Sequence, residues 1–283
     1  MNALQPILHP DPSPAVRLER AVGRAVLAVH SDGGRTRLER LYQGGAAKIR
    51  LPRVAPDSAL EAVLLNTAGG MTGGDRFRCD VMVRENARAL VTTQAAERVY
   101  RRSGGVAEVA NHLEVAAGAR LDWLPQETIL FDRSGLSRRL VTDIDPAGTL
   151  LAVESFVLGR AAMGEAVRLT SLIDRWRIRR GGRLIFADGV RIEGDATAIL
   201  SRGATGGGAT AFATLVLVAP DAGRFLDIAR AALAPYGNAA GASAWNGILV
   251  VRMVAANGQV LRAGLIDLVE GLRGRPMPRV WQC

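Results

Sequence analysis

Alternation of apolar and polar residues with a period of two runs through most of this chain and leaves little room for a helical architecture. Arg24–Val29, Leu60–Leu65, Arg88–Thr92, Ala107–Val115, Leu150–Leu158, Arg183–Phe186 and Ala213–Val218 carry it, as half-buried strands do. Turn signals separate many of these runs, among them Asp32-Gly33-Gly34, Ser103-Gly104-Gly105 and Arg180-Gly181-Gly182. Asn257-Gly258, between Ile248–Ala255 and Val260–Ala263, is the strongest hairpin signal, because a type I′ turn needs positive φ twice. Helical periodicity appears late. Asp221–Leu233 places Phe225, Leu226, Ile228, Ala229 and Ala232 on one face between Pro220 and Pro235, and a second helix is expected over Gly264–Leu272. The expectation is an all-β fold of layered antiparallel or mixed sheets. It forms a single domain over residues 1–283, with about two α-helices toward the C-terminus and a flexible tail over residues 1–15.

Between Leu65 and Arg76 the sequence reads Leu-Asn-Thr-Ala-Gly-Gly-Met-Thr-Gly-Gly-Asp-Arg. Two glycine pairs inside a strand-like pattern predict a backbone that turns twice within a few residues. A phosphate cradle does not fit. The Walker pattern needs a Lys before Ser/Thr, and Lys48 is the only lysine. The dinucleotide fingerprint opens a helix, whereas strand-like Phe77, Cys79, Val81 and Val83 follow here.

A chain of 283 residues can bury a core without disulfides or a structural metal. Its two cysteines, Cys79 and Cys283, form neither a disulfide framework nor a zinc spacing, which fits a reducing cytoplasm. The Pro-rich start lacks the apolar core of a signal peptide, and no run is long enough for a membrane span. The net charge of +9 is almost all arginine. It admits nucleic acid or an acidic protein as partner. Aromatic residues are sparse and do not interleave with the arginines as stacking platforms would, which favours the acidic protein. In Arg175-Trp176-Arg177-Ile178-Arg179 the alternation is that of a strand with one charged face.

Catalytic chemistry is scarce. His9, His30 and His112 have no second ligand at metal spacing, no G-x-S-x-G elbow occurs, and Cys79 has no neighbouring base. Carboxylates are more suggestive: Glu127 and Asp132 flank an apolar turn, and Glu154 and Glu165 bracket Ser155–Arg160. Such acids serve as a catalytic pair, as hard-cation ligands, or as structural partners of arginine.

Taken in order, several segments resemble one family, the urease accessory protein UreD, also called UreH. They are Leu65–Asp75; Thr92-Thr93-Gln94-Ala95 with Glu97–Arg101; Trp123–Phe131; Glu154–Arg160 with Met163-Gly164-Glu165; and Arg275-Pro276 followed by Arg279-Val280-Trp281. Where many members have Pro-Gly after the Thr pair and Lys before the Tyr, this chain has Gln94-Ala95-Ala96-Glu97-Arg98-Val99. The resemblance implies a mostly β fold with two helices and a non-enzymatic, cytoplasmic maturation factor. Such a factor binds urease apoprotein, recruits UreF and the GTPase UreG, and helps deliver nickel. It implies no tightly bound cofactor, nickel(II) as a transported ion, no membrane or nucleic acid, and a complex that allows a dimer. The alternative expectation, from charge alone, is a basic nucleic-acid-binding protein.

A nickel route needs oxygen ligands weak enough to release the ion. From the resembling segments, Glu165, Glu127, Asp132, Thr92 and Thr93 are the expected route residues. Partner contacts are expected at Trp281 and at the stripe Leu265, Leu268, Val269 and Leu272, for which ordinary core packing is the competing expectation.

Overall fold

Strands dominate, and they form two sheets packed face to face. The structure is a computed structural model describing residues 19–55, 59–160 and 164–282; the expected tail over 1–15 lies outside them. One sheet is seven-stranded, in the order β14 (Arg183–Gly194), β13 (Thr170–Arg180), β11 (Gly135–Ile144), β8 (Ala107–Val115), β5 (Arg76–Val83), β1 (Val22–Asp32) and β2 (Arg35–Gly45). The other, ten-stranded, runs β16 (Ala240–Trp245), β17 (Ile248–Ala255), β15 (Ala211–Val218), β12 (Thr149–Leu158), β9 (Arg120–Leu124), β6 (Arg88–Thr93), β4 (Leu60–Asn66) and β3 (Ala47–Arg50). Two short strands, β10 (Thr128–Leu130) and β7 (Glu97–Val99), extend from β12.

The central pairs of both sheets are parallel: β1 with β5, β5 with β8, β8 with β11 and β11 with β13 in one, and β4 with β6, β6 with β9 and β9 with β12 in the other. Parallel neighbours need a crossover, which is usually a helix. Here the crossover is a strand of the facing sheet, because the chain passes alternately from one sheet to the other through β5, β6, β8, β9, β11, β12 and β13. The expectation of mixed β layers holds, and this alternation explains how a chain poor in helix makes parallel sheets.

Alternate residues of both sheets meet in the shared core, where Leu27, Val81, Leu113, Leu140 and Trp176 pack with Leu121, Trp123, Leu150 and Val216. A second core lies on the other side of the ten-stranded sheet, where α2 (Leu226–Leu233) and α3 (Gly258–Arg273) cover β15 and β17. A short additional helix, α1 (Ala196–Leu200), precedes both and is capped by the Asp195 carboxylate accepting from the Ala198 N–H at 2.9 Å.

Two expected turns form with the expected chemistry. Gly33 and Gly34 (φ 55° and 76°) join β1 to β2, and Gly181 and Gly182 (φ 55° and 78°) join β13 to β14. Asn257-Gly258 is corrected. Asn257 is extended (φ −159°), its side chain accepts from the Val260 N–H at 2.9 Å, and α3 begins at Gly258. The expected strand Val260–Ala263 is the first part of that helix. Asn is as good an N-cap as a turn former. The apolar positions Leu261, Leu265, Leu268, Val269 and Leu272, all buried, decide for helix. The hairpin between β16 and β17 uses the other Asn-Gly pair, Asn246 and Gly247 (φ 48° and 73°).

Candidate functional site

The glycine segment folds back over β7. Met71 N–H donates to the Arg98 carbonyl at 2.7 Å, and Tyr100 N–H donates to the Met71 carbonyl at 2.8 Å. Gly70 must be glycine, since its φ is +148° and a Cβ there would lie 2.3 Å from the Tyr100 ring. Buried Asp75 closes the loop, accepting from the Ala21 N–H at 2.8 Å and the Thr72 N–H at 2.7 Å. The Asn66 amide donates to the Gly70 carbonyl at 3.0 Å and to the Glu97 carboxylate at 3.2 Å.

Beneath this loop, and between the sheets, lies a cavity of about 330 Å³. Asn66, Gln94 and Glu97 line it from the side of the loop, Thr93, Gln126 and Thr128 line its walls, and Arg138 and Glu154 belong to its lining as well. Arg138, on β11, is 6% exposed and stands on the inward phase between Leu136 and Leu140. Its Nε donates to Asp174 at 2.9 Å, and its Nη1 pairs with the Glu154 carboxylate and donates to the Thr128 hydroxyl at 3.3 Å. The guanidinium lies 4.4 Å from the Phe156 ring centroid. Two indoles orient the acids: Trp123 Nε1 donates to Glu154 at 3.1 Å and Trp176 Nε1 to Asp174 at 3.0 Å.

One buried cation thus faces two buried carboxylates. Burial pushes the Glu154 carboxyl up to about 7, with Asp174 adding to the rise and Arg138 and Trp123 opposing it. Glu97 is also raised by burial, against the pull of the Asn66 amide and the Arg98 N–H. Arg138 Nη2 has no hydrogen-bond partner among the described residues. Cys79 also lines the cavity, and its buried thiol is pushed up to about 12, so it offers no thiolate.

Of the expected route residues, Glu165 and Asp132 meet each other, while Thr92, Thr93 and Glu127 lie in other contacts. Only Thr93 borders the cavity; its hydroxyl donates to the Ala95 carbonyl at 3.0 Å and accepts from the Gln126 N–H at 2.9 Å. Glu165 pairs with Arg160 at 2.9 Å and accepts from the Asp132 N–H at 3.2 Å, while Asp132 accepts from Arg168 and Leu169 N–H. Glu127 pairs with Arg262 at 3.0 Å. Thr92 donates to the Leu124 carbonyl at 2.7 Å. Among the described residues no group of three or more His, Cys, Asp or Glu could hold a metal ion.

The residues expected as partner contacts lie where the competing expectation, core packing, puts them. Leu265, Leu268, Val269 and Leu272 are at most 4% exposed, and Trp281 is 3% exposed within the same core. Their apolar surface packs against β15, β17 and α2. Sequence reasoning passed over Arg138 and Asp174. The usable signal was a charged residue on the apolar phase of a strand: Asp174 stands between Leu172 and Trp176 as Arg138 stands between leucines.

Comparison with known proteins places this chain in the class of urease accessory proteins. A family model described as UreD urease accessory protein matches residues 21–282. Among relatives, a urease accessory protein UreD of Rhizobium etli is 52% identical over 268 residues, covering 94% of this chain and 97% of the relative. Its Methylorubrum populi counterpart UreD 2 is 48% identical, covering 98% and 95%. UreD 1 of Brucella abortus is 46% identical, covering 97% and 99%. The chain belongs to the UreD family.

Proposed function

We propose that this protein acts in urease maturation by forming complexes, with no turnover of its own. It binds the urease apoprotein together with UreF and the GTPase UreG, and it assists delivery of nickel(II) to the urease active site. Family membership supports the role, and the cavity supports a way of performing it. Hard oxygen donors line that cavity, from the Glu97 carboxylate and the Asn66 and Gln126 amides to the Thr93 hydroxyl and the buried Glu154 carboxylate. Scattered single carboxylates suit an ion in transit, because a cluster of His or Cys would retain it.

The single observation that carries this reading is the cavity passing from the glycine loop to Glu154. The test is complementation of a deletion strain with wild type, Glu97→Gln or Glu154→Gln, followed by nickel analysis of the purified urease. Variants that still assemble with urease and UreF, yet yield nickel-poor urease, support the route. Normal nickel content with both variants would overturn it. Loss of assembly together with activation would make these carboxylates structural.

A further inference from the structure

The outward face of the seven-stranded sheet carries a row of arginines set in register. Arg24 stands opposite Arg78, Arg78 opposite Ala110, Ala110 opposite Arg139, and Arg139 opposite Arg175. Neighbouring strands lie roughly 4.8 Å apart, so like charges directly opposite each other destabilise a sheet unless compensated. Part of the face is compensated. Arg24 and Arg78 share Asp80, Arg76 reaches Glu108 at 3.6 Å, and Arg191 pairs with Glu193 at 2.7 Å. At Arg139 and Arg175, which face each other, it is not. Exposed Arg139 and Arg175, and half-buried Arg179, have no ion pair or hydrogen bond among the described residues. Arg179 has the Asp143 carboxylate opposite it in register, with Glu114 next across the sheet and His112 3.3 Å from Asp143, and Arg177 reaches the backbone carbonyls of Trp176 and Asp188.

We infer that the part of this face centred on Arg139 and Arg175 is a docking surface for an acidic patch on a folded protein. Charge complementarity is the main argument. Parallel sheets ordinarily have both faces covered, and here β8, β11 and β13 leave theirs open among the described residues. Leu184, 48% exposed and in register with Arg179, adds an apolar contact beside the guanidinium groups. Arginine beside apolar surface is the usual make-up of protein interfaces. The residues between Arg139, Arg175 and their neighbours are Ala110, Ser137, Val141 and Ile173, so among the described residues this part of the face has no aromatic platform for bases, the exposed Tyr42 lying beside Arg24 at the far edge of the sheet.

Resting on the maturation reading, the occupant is the urease apoprotein. The test measures binding of that apoprotein to wild type, Arg139→Glu, Arg139→Glu/Arg175→Glu, and a control with the same charge change elsewhere, Arg202→Glu/Arg230→Glu. Arg139→Glu alone faces Arg175 and forms an ion pair within the sheet, so it folds while still removing the patch. The face variants should bind about tenfold more weakly and the control within about twofold, with the difference fading as salt is raised. Equal binding by wild type and both face variants would overturn the inference, as would equal weakening by the control. Tighter binding of duplex DNA than of apoprotein, lost in the same variants, would also overturn it in favour of nucleic acid. Wild type that fails to bind apoprotein at all would instead remove the maturation reading beneath it.

Discussion

Trp281 donates its indole N–H to the Thr92 hydroxyl at 3.0 Å across 189 residues of chain, and Thr92 in turn donates to the Leu124 carbonyl at 2.7 Å. Arg262 completes the clasp. Its Nη2 donates to the Trp281 carbonyl at 2.7 Å and its Nη1 to Gln126 and Glu127, with the guanidinium 4.7 Å from the Trp281 ring. The tail is thereby fastened to the β9–β10 connection, whose Gln126 also lines the cavity.

Trp281→Ala should lower the unfolding free energy by about 3–5 kcal/mol, as expected when a buried aromatic ring is lost. Thr92→Val, which leaves the indole N–H without an acceptor, should cost about 1–3 kcal/mol. Denaturant unfolding of the two single variants and the double variant measures both costs and their coupling. A Trp281→Ala protein with the wild-type midpoint would mean that the tail is not docked as described.

Glu154 gives stability a definite dependence on pH. Its carboxyl titrates at about 7 in the folded protein, against 4.5 as the ordinary value. Between these values the folded state holds a proton that the unfolded state has released, so stability is greatest at the acid end and falls as pH rises through 7. Glu154→Gln should flatten this decline, seen as unfolding free energies at about pH 5 and about pH 7.5 that converge relative to wild type. An unchanged slope would assign the decline to another group. Arg138→Met should be far worse, about 3–5 kcal/mol at neutral pH, because it leaves Glu154 and Asp174 buried without their cation.

Gly70→Ala should cost about 1–3 kcal/mol through backbone strain, and more where the Tyr100 ring cannot move aside. Protease cleavage within residues 66–75 should then speed up. Gly223 is the control: an added methyl there would meet nothing within 4 Å and its φ is not positive, so Gly223→Ala should leave both measurements unchanged. Equal behaviour of the two variants would show that the loop tolerates a side chain.

Asn257→Ala should remove about 1 kcal/mol through loss of the α3 cap, while Asn257→Asp should stay near wild type. Thermal unfolding checks the pair. Equal loss in both variants would point to a role for the amide N–H rather than the carbonyl oxygen.

The strands, the late helices and the double turn of the glycine segment were legible because each is written in short-range periodicity or in residues that permit positive φ. Ala107–Val115 matches β8 to the residue, and α3 extends the expected Gly264–Leu272 at both ends. Asn257-Gly258 shows where local reading stops. The same dipeptide makes a hairpin at Asn246-Gly247 and a helix cap here, and the apolar surface available on β15 and β17 separates the two outcomes. Residue order was enough to establish a β-rich chain, its kinship with the urease accessory proteins, and a positive charge carried by arginine. Which charges meet was settled only on folding. Arg138, Glu154 and Asp174 come from separate strands and are brought together by the alternation between sheets, whereas Glu127 is taken up by Arg262, and Glu165 and Asp132 by Arg160 and by backbone N–H groups, away from that cluster. Trp281 became core because Thr92 and Arg262, remote in sequence, supply its polar partners. Pairing across many residues depends on register between strands, and no local pattern encodes that register.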